Sequence, residues 1–437
     1  MEETRKFSVG TVTRFYIPLM LQAFAQSLTY PLVTGIVCHG KNGVDALAAF
    51  CQGMSIMFMI GALGAGLITT GMVFAKTCYG YRSFLRLNTI MMAVLLSLQC
   101  VPALPPFNDW VFRGFFALSP ELAEIARDTL LYGVIMNAGF FLRNVPMVLL
   151  FNNYASAKAN YATLLRIVFT MFLSFTFPQF GWTGPGWGLV AITLGVWVEL
   201  LMTYLYARKY AAELSVGVEG LSGRALVSLT WEQFCFTLPL AFGGFLLATS
   251  PLICAAYIAR SANPADMLAI HYVTLGVANP VCFGALRMQP VAVKFLPEYP
   301  GDKRLLYYAI GAGAVLSLGS LAFATPELTR LYFGGYQNVP ERLFPQVRSV
   351  VALYSLLPIV HAVRGRIEGI AAALKSPRAV MNGQIAYTAA IFLILALLLP
   401  LGVAGYKMAA AAVFLSPFFT IAAVYLTLGR QRLTLKV

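Results

Sequence analysis

The sequence predicts an all-α polytopic membrane protein, with twelve transmembrane helices in two pseudo-symmetric six-helix bundles. Three observations point there. Charge is scarce, the apolar residues form long runs, and the second half of the chain repeats features of the first at a near-constant offset. Of the 437 residues, 59% are hydrophobic and 11% charged, with a mean hydropathy of +0.75. A soluble domain is about a quarter charged. So large a deficit excludes a water-soluble enzyme, a disordered chain and a nucleic-acid-binding module. A membrane β-barrel would alternate polar and apolar residues over strands of about ten, and the sequence shows no such alternation.

A helix needs ~20 apolar residues to cross the hydrocarbon. The first run long enough follows the polar start Met1-Glu2-Glu3-Thr4-Arg5-Lys6 and covers 11–38. Pro18, Gln22, Gln26 and Pro31 interrupt it, and it is too long for a cleaved signal peptide. Five more spans follow at 44–75, 83–104, 121–151, 155–178 and 184–207. After a polar stretch come 228–258, 264–294, 304–324, 343–373, 377–400 and 403–428. Several exceed the minimum, which implies tilt, kinks or extension beyond the bilayer. The aromatic segment Asn108–Phe116 is expected to lie in the membrane interface rather than to cross.

Orientation follows from the 31 Lys and Arg residues. With both termini cytoplasmic, 18 fall inside, 8 outside and five within spans. Positive loops stay in the cytoplasm, so the expectation is an integral protein of a bacterial inner (plasma) membrane. The seven cysteines are scattered, odd in number and without metal-ligand spacing, so they read as packing residues. Neither a metal nor a cofactor is called for. No phosphate loop, Ser/His/Asp arrangement or His-Glu-x-x-His helix occurs, which argues against an enzyme and against ATP-driven pumping within this chain.

The repeat is read from matched segments. Phe15-Tyr16-Ile17-Pro18-Leu19 returns as Phe236-Thr237-Leu238-Pro239-Leu240, and Asn42 with Asp45 as Asn263 with Asp266. Tyr30-Pro31 returns as Ser250-Pro251, and Ser156-Ala157-Lys158 as Ser376-Pro377-Arg378. Ser119-Pro120-Glu121-Leu122 is paired with Thr325-Pro326-Glu327-Leu328, which leaves an insertion before the next span of the second copy. Six spans per half make the repeats parallel. The expected domains are an N-terminal bundle (1–207), a cytoplasmic linker (208–227) and a C-terminal bundle (228–437). Pro18, Pro31, Pro239 and Pro251 are candidate hinges, because proline removes a backbone bond and bends a helix. Asn42 and Asn263 stand at the spacing of helix caps, with the aspartates at the third helical position.

An ionisable group at the bilayer centre costs ~2.5–3.5 kcal/mol on insertion scales, so it faces a cavity or a partner. Five arginines lie within spans (Arg143, Arg166, Arg287, Arg364 and Arg366), against Glu199 and Glu368 as deep carboxylates. His361, Arg364 and Glu368 are spaced i, i+3, i+7 and share one helical face, while Arg366 points well away. Arg143 precedes Arg364 by the same offset that separates Phe15 from Phe236, so each half supplies one arginine, with Asn144 beside the first. Guanidinium grips carboxylate and phosphate in bidentate fashion. Two such groups on one cavity suit a small anion carrying several charges. Glu368 would hold Arg364 when the site is empty. Arg287 and Lys294, seven apart on the eighth span, share a face and could contribute. Arg166 is expected to snorkel, and His39 and His271, near the outer ends, to cap or pack.

The run Pro358-x5-Arg364-x4-Gly369-x4-Leu374-Lys375 resembles the tenth-span region of progressive ankylosis (ANK-type) proteins. Thr249-Ser250-Pro251-Leu252-Ile253, and Phe283-Gly284 with Leu296-Pro297, are similar too. That family sits in the multidrug/oligosaccharidyl-lipid/polysaccharide (MOP) exporter superfamily, beside the multidrug-and-toxin extrusion (MATE) transporters. Leu401-Gly402-Val403-Ala404-Gly405 and Gly184-Pro185-Gly186-Trp187-Gly188 resemble the glycine-rich entries of that superfamily's last helices in each half. The resemblance implies a V-shaped exporter of two bundles. For the ANK branch it implies export of polyvalent anions of the citrate, pyrophosphate or nucleotide class, with Arg364 at the site. The first span lacks the acid of the drug-exporting branch. The expected function is therefore secondary anion export by alternating access. A lipid-linked saccharide or phospholipid flippase and a cation-coupled multidrug exporter are the alternatives. The expected partners are a small anionic substrate and the lipid bilayer, no nucleic acid, and the chain acts as a monomer.

Overall fold

The structure, a computed structural model, describes residues 8–40, 43–64, 66–115, 118–215, 223–258, 260–296, 303–336 and 339–434. Among these residues the regular structure is helical, without strands. The first half runs α1 (Val9–Cys38), α2 (Gly43–Ala62), α3 (Gly66–Phe74), α4 (Cys78–Cys100), α5 (Pro120–Asn152), α6 (Ser156–Gln179) and α7 (Pro185–Ser215). The second runs α8 (Gly223–Ile258), α9 (Pro264–Leu286), α10 (Met288–Phe295), α11 (Arg304–Leu321), the short α12 (Pro326–Leu328), α13 (Phe344–Tyr354), α14 (Leu357–Ala373), α15 (Pro377–Leu398) and α16 (Gly405–Thr434). Eleven described segments are long and apolar enough to cross a membrane. With the 30-residue α1 ahead of them, twelve spans fit the chain, and the protein is an integral membrane protein.

Local chemistry sets many of the ends. Thr77 caps α4, its side chain accepting from the Gly80 amide at 3.2 Å. Proline opens α5, α9 and α15, where its missing N–H costs nothing. Gly181 and Gly402 take the left-handed conformation (φ 74° and 68°) past the ends of α6 and α15, which only glycine adopts without strain. Three expected spans are interrupted. The second divides between α2 and α3, the eighth at Arg287, and the tenth between Tyr354 and Leu357. The linker differs as well: α7 continues to Ser215 and α8 already begins at Gly223, so of 208–227 only 216–222 lie outside the described residues. Asn263 does not cap α9 through its side chain. It is left-handed (φ 52°), and Asp266 is instead gripped by Arg342 at 2.6 and 2.9 Å. Asn42 and the Asp45 side chain lie outside the described residues.

The offset from Arg143 to Arg364 holds from element to element without a gap. The left-handed Tyr154 and Lys375 are related by it, as are Gly181 and Gly402. So are the 3-10 turns Val101–Ala103 and Ala322–Ala324, and the C-terminal ends of the wide π-helical segments Asp109–Phe115 and Thr329–Tyr336. This corrects the sequence matching. Ser119-Pro120 does not correspond to Thr325-Pro326: Ser119 precedes α5, whereas Thr325 follows a 3-10 turn whose counterpart ends at Ala103. The second copy therefore has no insertion at this point. Ser156 likewise aligns with Pro377, one residue further than the match to Ser376.

Packing divides the chain into two compact units, Met1–Phe24 with Leu246–Val437, and Ala25–Phe245. Both boundaries fall inside long helices, α1 and α8, and the repeat offset carries one boundary onto the other. The contacts on either side are reciprocal. In the unit that holds the C-terminal half, Phe15 meets Phe295 edge-on at 5.6 Å and Tyr16 donates to the Gly284 carbonyl at 3.2 Å. In the other, Phe236 meets Phe74 at 5.3 Å and Thr237 pairs with Thr70 at 2.7 Å. Phe15 and Phe236 are repeat mates, as are Phe295 and Phe74. Each unit thus takes the first part of the opening helix of the other half. The division lies between Pro18 and Pro31 in α1, and between Pro239 and Pro251 in α8.

Candidate functional site

In the Ala25–Phe245 unit three helices bring charge to one point. Arg143 on α5 and Arg166 on α6 donate through Nη1 to Glu199 Oε2 on α7, at 2.7 and 2.9 Å. Thr163 donates to the other carboxylate oxygen. All are buried, Glu199 completely. The Phe140 ring lies 4.8 Å from the Arg143 guanidinium and 5.9 Å from that of Arg166. Two cations share one carboxylate, so the cluster carries a net positive charge screened by an aromatic face. Arg166 therefore does not snorkel; it has an acid within reach and no need of the interface. Asn144 is used in packing, donating to Asn88 at 3.3 Å.

In the other unit the corresponding arginine keeps different company. Arg364 on α14 donates through Nε to Glu368 Oε1 at 2.8 Å and through Nη2 to Gln384 Oε1, on α15, at 2.7 Å. Gln384 donates back to Glu368 at 3.1 Å, and the Tyr387 ring lies 4.9 Å from the guanidinium. The repeat shows what changed. Thr163 becomes Gln384 and Arg166 becomes Tyr387, while the acid moves from the position of Thr420 to that of Met147. The arginine stays, while its counter-charge and its ring each come from a different position.

A cavity of about 180 Å³ opens beside Arg364, inside this unit. Its lining includes Cys254, His271, Asn279, Cys282, His361 and Tyr387, among apolar residues of α8, α9, α14, α15 and α16. Arg364 is the charged member. Its third nitrogen, Nη1, has no hydrogen-bond partner among the described residues. His361 lies on the same face, as its spacing requires, with Nδ1 buried and unpartnered among the described residues. His271 packs rather than caps: it is buried in the cavity wall, with both ring nitrogens unpartnered among the described residues. His39 does cap, placing Nδ1 2.7 Å from the Gly35 carbonyl.

The remaining candidates are not gathered here. Arg287 forms the joint between α9 and α10, so the helical spacing that set it over Lys294 is broken. Arg366 is half-buried, its Nε lacks a partner among the described residues, and it is not in the cavity wall. Arg143 and Arg364 belong to different units.

No protein-family model and no curated protein matches the chain. Solved structures do. A MOP superfamily transporter from Pyrococcus furiosus, described as having a binding pocket of reverse polarity that suggests a different function, matches with a TM-score of 0.74 and 16% identity. The match covers 97% of this chain and 95% of that one. An outward-facing multidrug resistance MATE family transporter of the same superfamily gives 0.73 and 16%, with the same coverage. A eukaryotic MATE transporter gives 0.68 and 16%, again over 97% and 95%. The chain thus has the fold of MOP-superfamily membrane transporters, over nearly its whole length.

Proposed function

We propose that this chain is a secondary transporter of small polyvalent anions, of the citrate, pyrophosphate or nucleotide class. It works by alternating access between its two bundles, as a monomer in a bacterial inner membrane with both termini cytoplasmic. The observation that carries the reading is Arg364: a buried guanidinium in a cavity wall, with one nitrogen left for a ligand. Low dielectric strengthens a charge-assisted bond from such a nitrogen to an acidic oxygen. The basic excess within the spans, five arginines against two glutamates, has the same sign.

A cation-coupled multidrug exporter is the second reading, favoured by the MATE neighbours and by the many apolar residues of the cavity wall. Against it, Glu199 and Glu368 are both committed to arginines. Neither is a spare carboxylate for a cation. The test is uptake of citrate, pyrophosphate and ATP into proteoliposomes, with an uncharged drug as control. Anion uptake without drug uptake is expected. Drug uptake alone would move the multidrug reading ahead, and lipid scrambling alone would favour a flippase.

A further inference from the structure

The repeat allows the cavity to be compared with its own duplicate. His271 corresponds to Phe50, Ala278 to Met57 and His361 to Phe140. Leu275 corresponds to Met54 and Leu357 to Met136. In the Ala25–Phe245 unit, Phe50, Met54, Met57 and Met136 are buried in the hydrophobic core and Phe140 packs against it. One copy fills this space with phenyl rings and thioethers. The other replaces them by two imidazoles, two leucines and a methyl group, and leaves about 180 Å³ open.

Hollowing a bundle and lining it with unpartnered polar groups is costly. Each buried donor or acceptor without a partner loses its hydration without compensation, and a cavity adds to this in proportion to its volume. His271 Nδ1, His271 Nε2 and His361 Nδ1 are three such atoms among the described residues, on two side chains that line the cavity. A ligand that supplies their partners removes the cost. Neutral imidazole offers one N–H and one lone pair, and Arg364 Nη1 adds two N–H groups. The set is rich in donors, with acceptors left for a ligand hydroxyl or a protonated acid oxygen.

We infer that the anion site is contained within this one bundle: a phosphate or carboxylate group sits in the cavity between Arg364 Nη1, His271 and His361. This rests on the anion-transport reading and sharpens it. His271 becomes a specificity-determining residue, and the cluster of Arg143, Arg166 and Glu199 a packing brace rather than half of a shared site. A cavity of this size takes one acidic group with its immediate carbon or phosphorus framework, so the rest of a larger anion would extend through the side where Asn279 and Phe283 are exposed.

The experiment measures pyrophosphate and citrate binding to the purified full chain in detergent by titration calorimetry, alongside uptake in proteoliposomes. His271→Phe installs the residue of the other copy. It should keep a monodisperse, cooperatively melting protein and weaken binding at least tenfold, with His271→Asn intermediate. If His271→Phe fails to fold, Ala278→Met fills the same space and should give the same loss. Parent-like binding by these variants, with Arg364→Lys still impaired, would overturn the one-bundle site and leave the transport reading standing. Absence of anion binding and uptake in the parent would overturn both. Pyrophosphate displaced by added phosphatidate would reassign the site to a lipid headgroup and overturn the small-anion assignment.

Discussion

Glu199→Gln tests the brace directly. The substitution keeps the side chain's shape but removes the charge that Arg143 and Arg166 share at 2.7 and 2.9 Å. Glu199 is wholly buried and the arginines nearly so, so water does not replace the lost partner. The cluster passes from one net positive charge to two. Removing one member of a buried ion pair costs ~3–5 kcal/mol, or roughly two to three and a half powers of ten in the folded-to-unfolded ratio. Two mutually repelling guanidiniums place the expected loss toward the upper end. The assay is the melting temperature of the purified protein in mild detergent, followed by size-exclusion monodispersity after heating. Glu199→Gln should melt well below the parent. Glu199→Gln with Arg166→Gln, which restores one net charge, should melt above the single variant. An unchanged melting temperature for Glu199→Gln, or a double variant weaker than the single, would refute the brace.

Two further predictions concern packing and topology. A Cβ on Gly369 would meet the Gln289 carbonyl oxygen at 2.4 Å and Ala292 Cβ at 2.7 Å, so Gly369→Ala must push α14 from α10; overpacking costs ~1–3 kcal/mol. A lowered melting temperature should show it, and a parent-like value would contradict it. For orientation, Ser222→Cys on a background without the native cysteines should resist an impermeant thiol reagent added to intact cells, and efficient labelling would reverse the assignment of cytoplasmic termini.

Much of the fold was legible because a membrane makes each span declare itself as a run of ~20 apolar residues, and the face shared by His361 and Arg364 followed from helical spacing alone. The breaks were harder. Pro358, in the first turn of α14, is the residue type that ends a preceding helix, yet in a continuous apolar run it reads equally as a tolerated kink. The partnership of Arg143, Arg166 and Glu199 joins three helices and has no local signature. His271 packs, as expected, but position along a span does not show that a ring borders a cavity. The signal that could have found it was present. Carrying the repeat offset through residue by residue sets His271 against Phe50 and His361 against Phe140, and shows polar residues standing where the other copy has a core.

Anion transport by this chain should depend on Arg364. Proteoliposomes loaded with the parent, Arg364→Lys or Arg364→Glu, at matched reconstitution, should be compared for uptake of labelled citrate, pyrophosphate and ATP. Lysine keeps the charge but not the fork that holds Glu368 and Gln384 while leaving Nη1 to the ligand, so uptake should fall at limiting substrate while the protein stays folded. Glutamate, repelled by Glu368 and by the anion alike, should abolish uptake. Parent-like transport of all three anions by both variants would contradict the anion-site assignment.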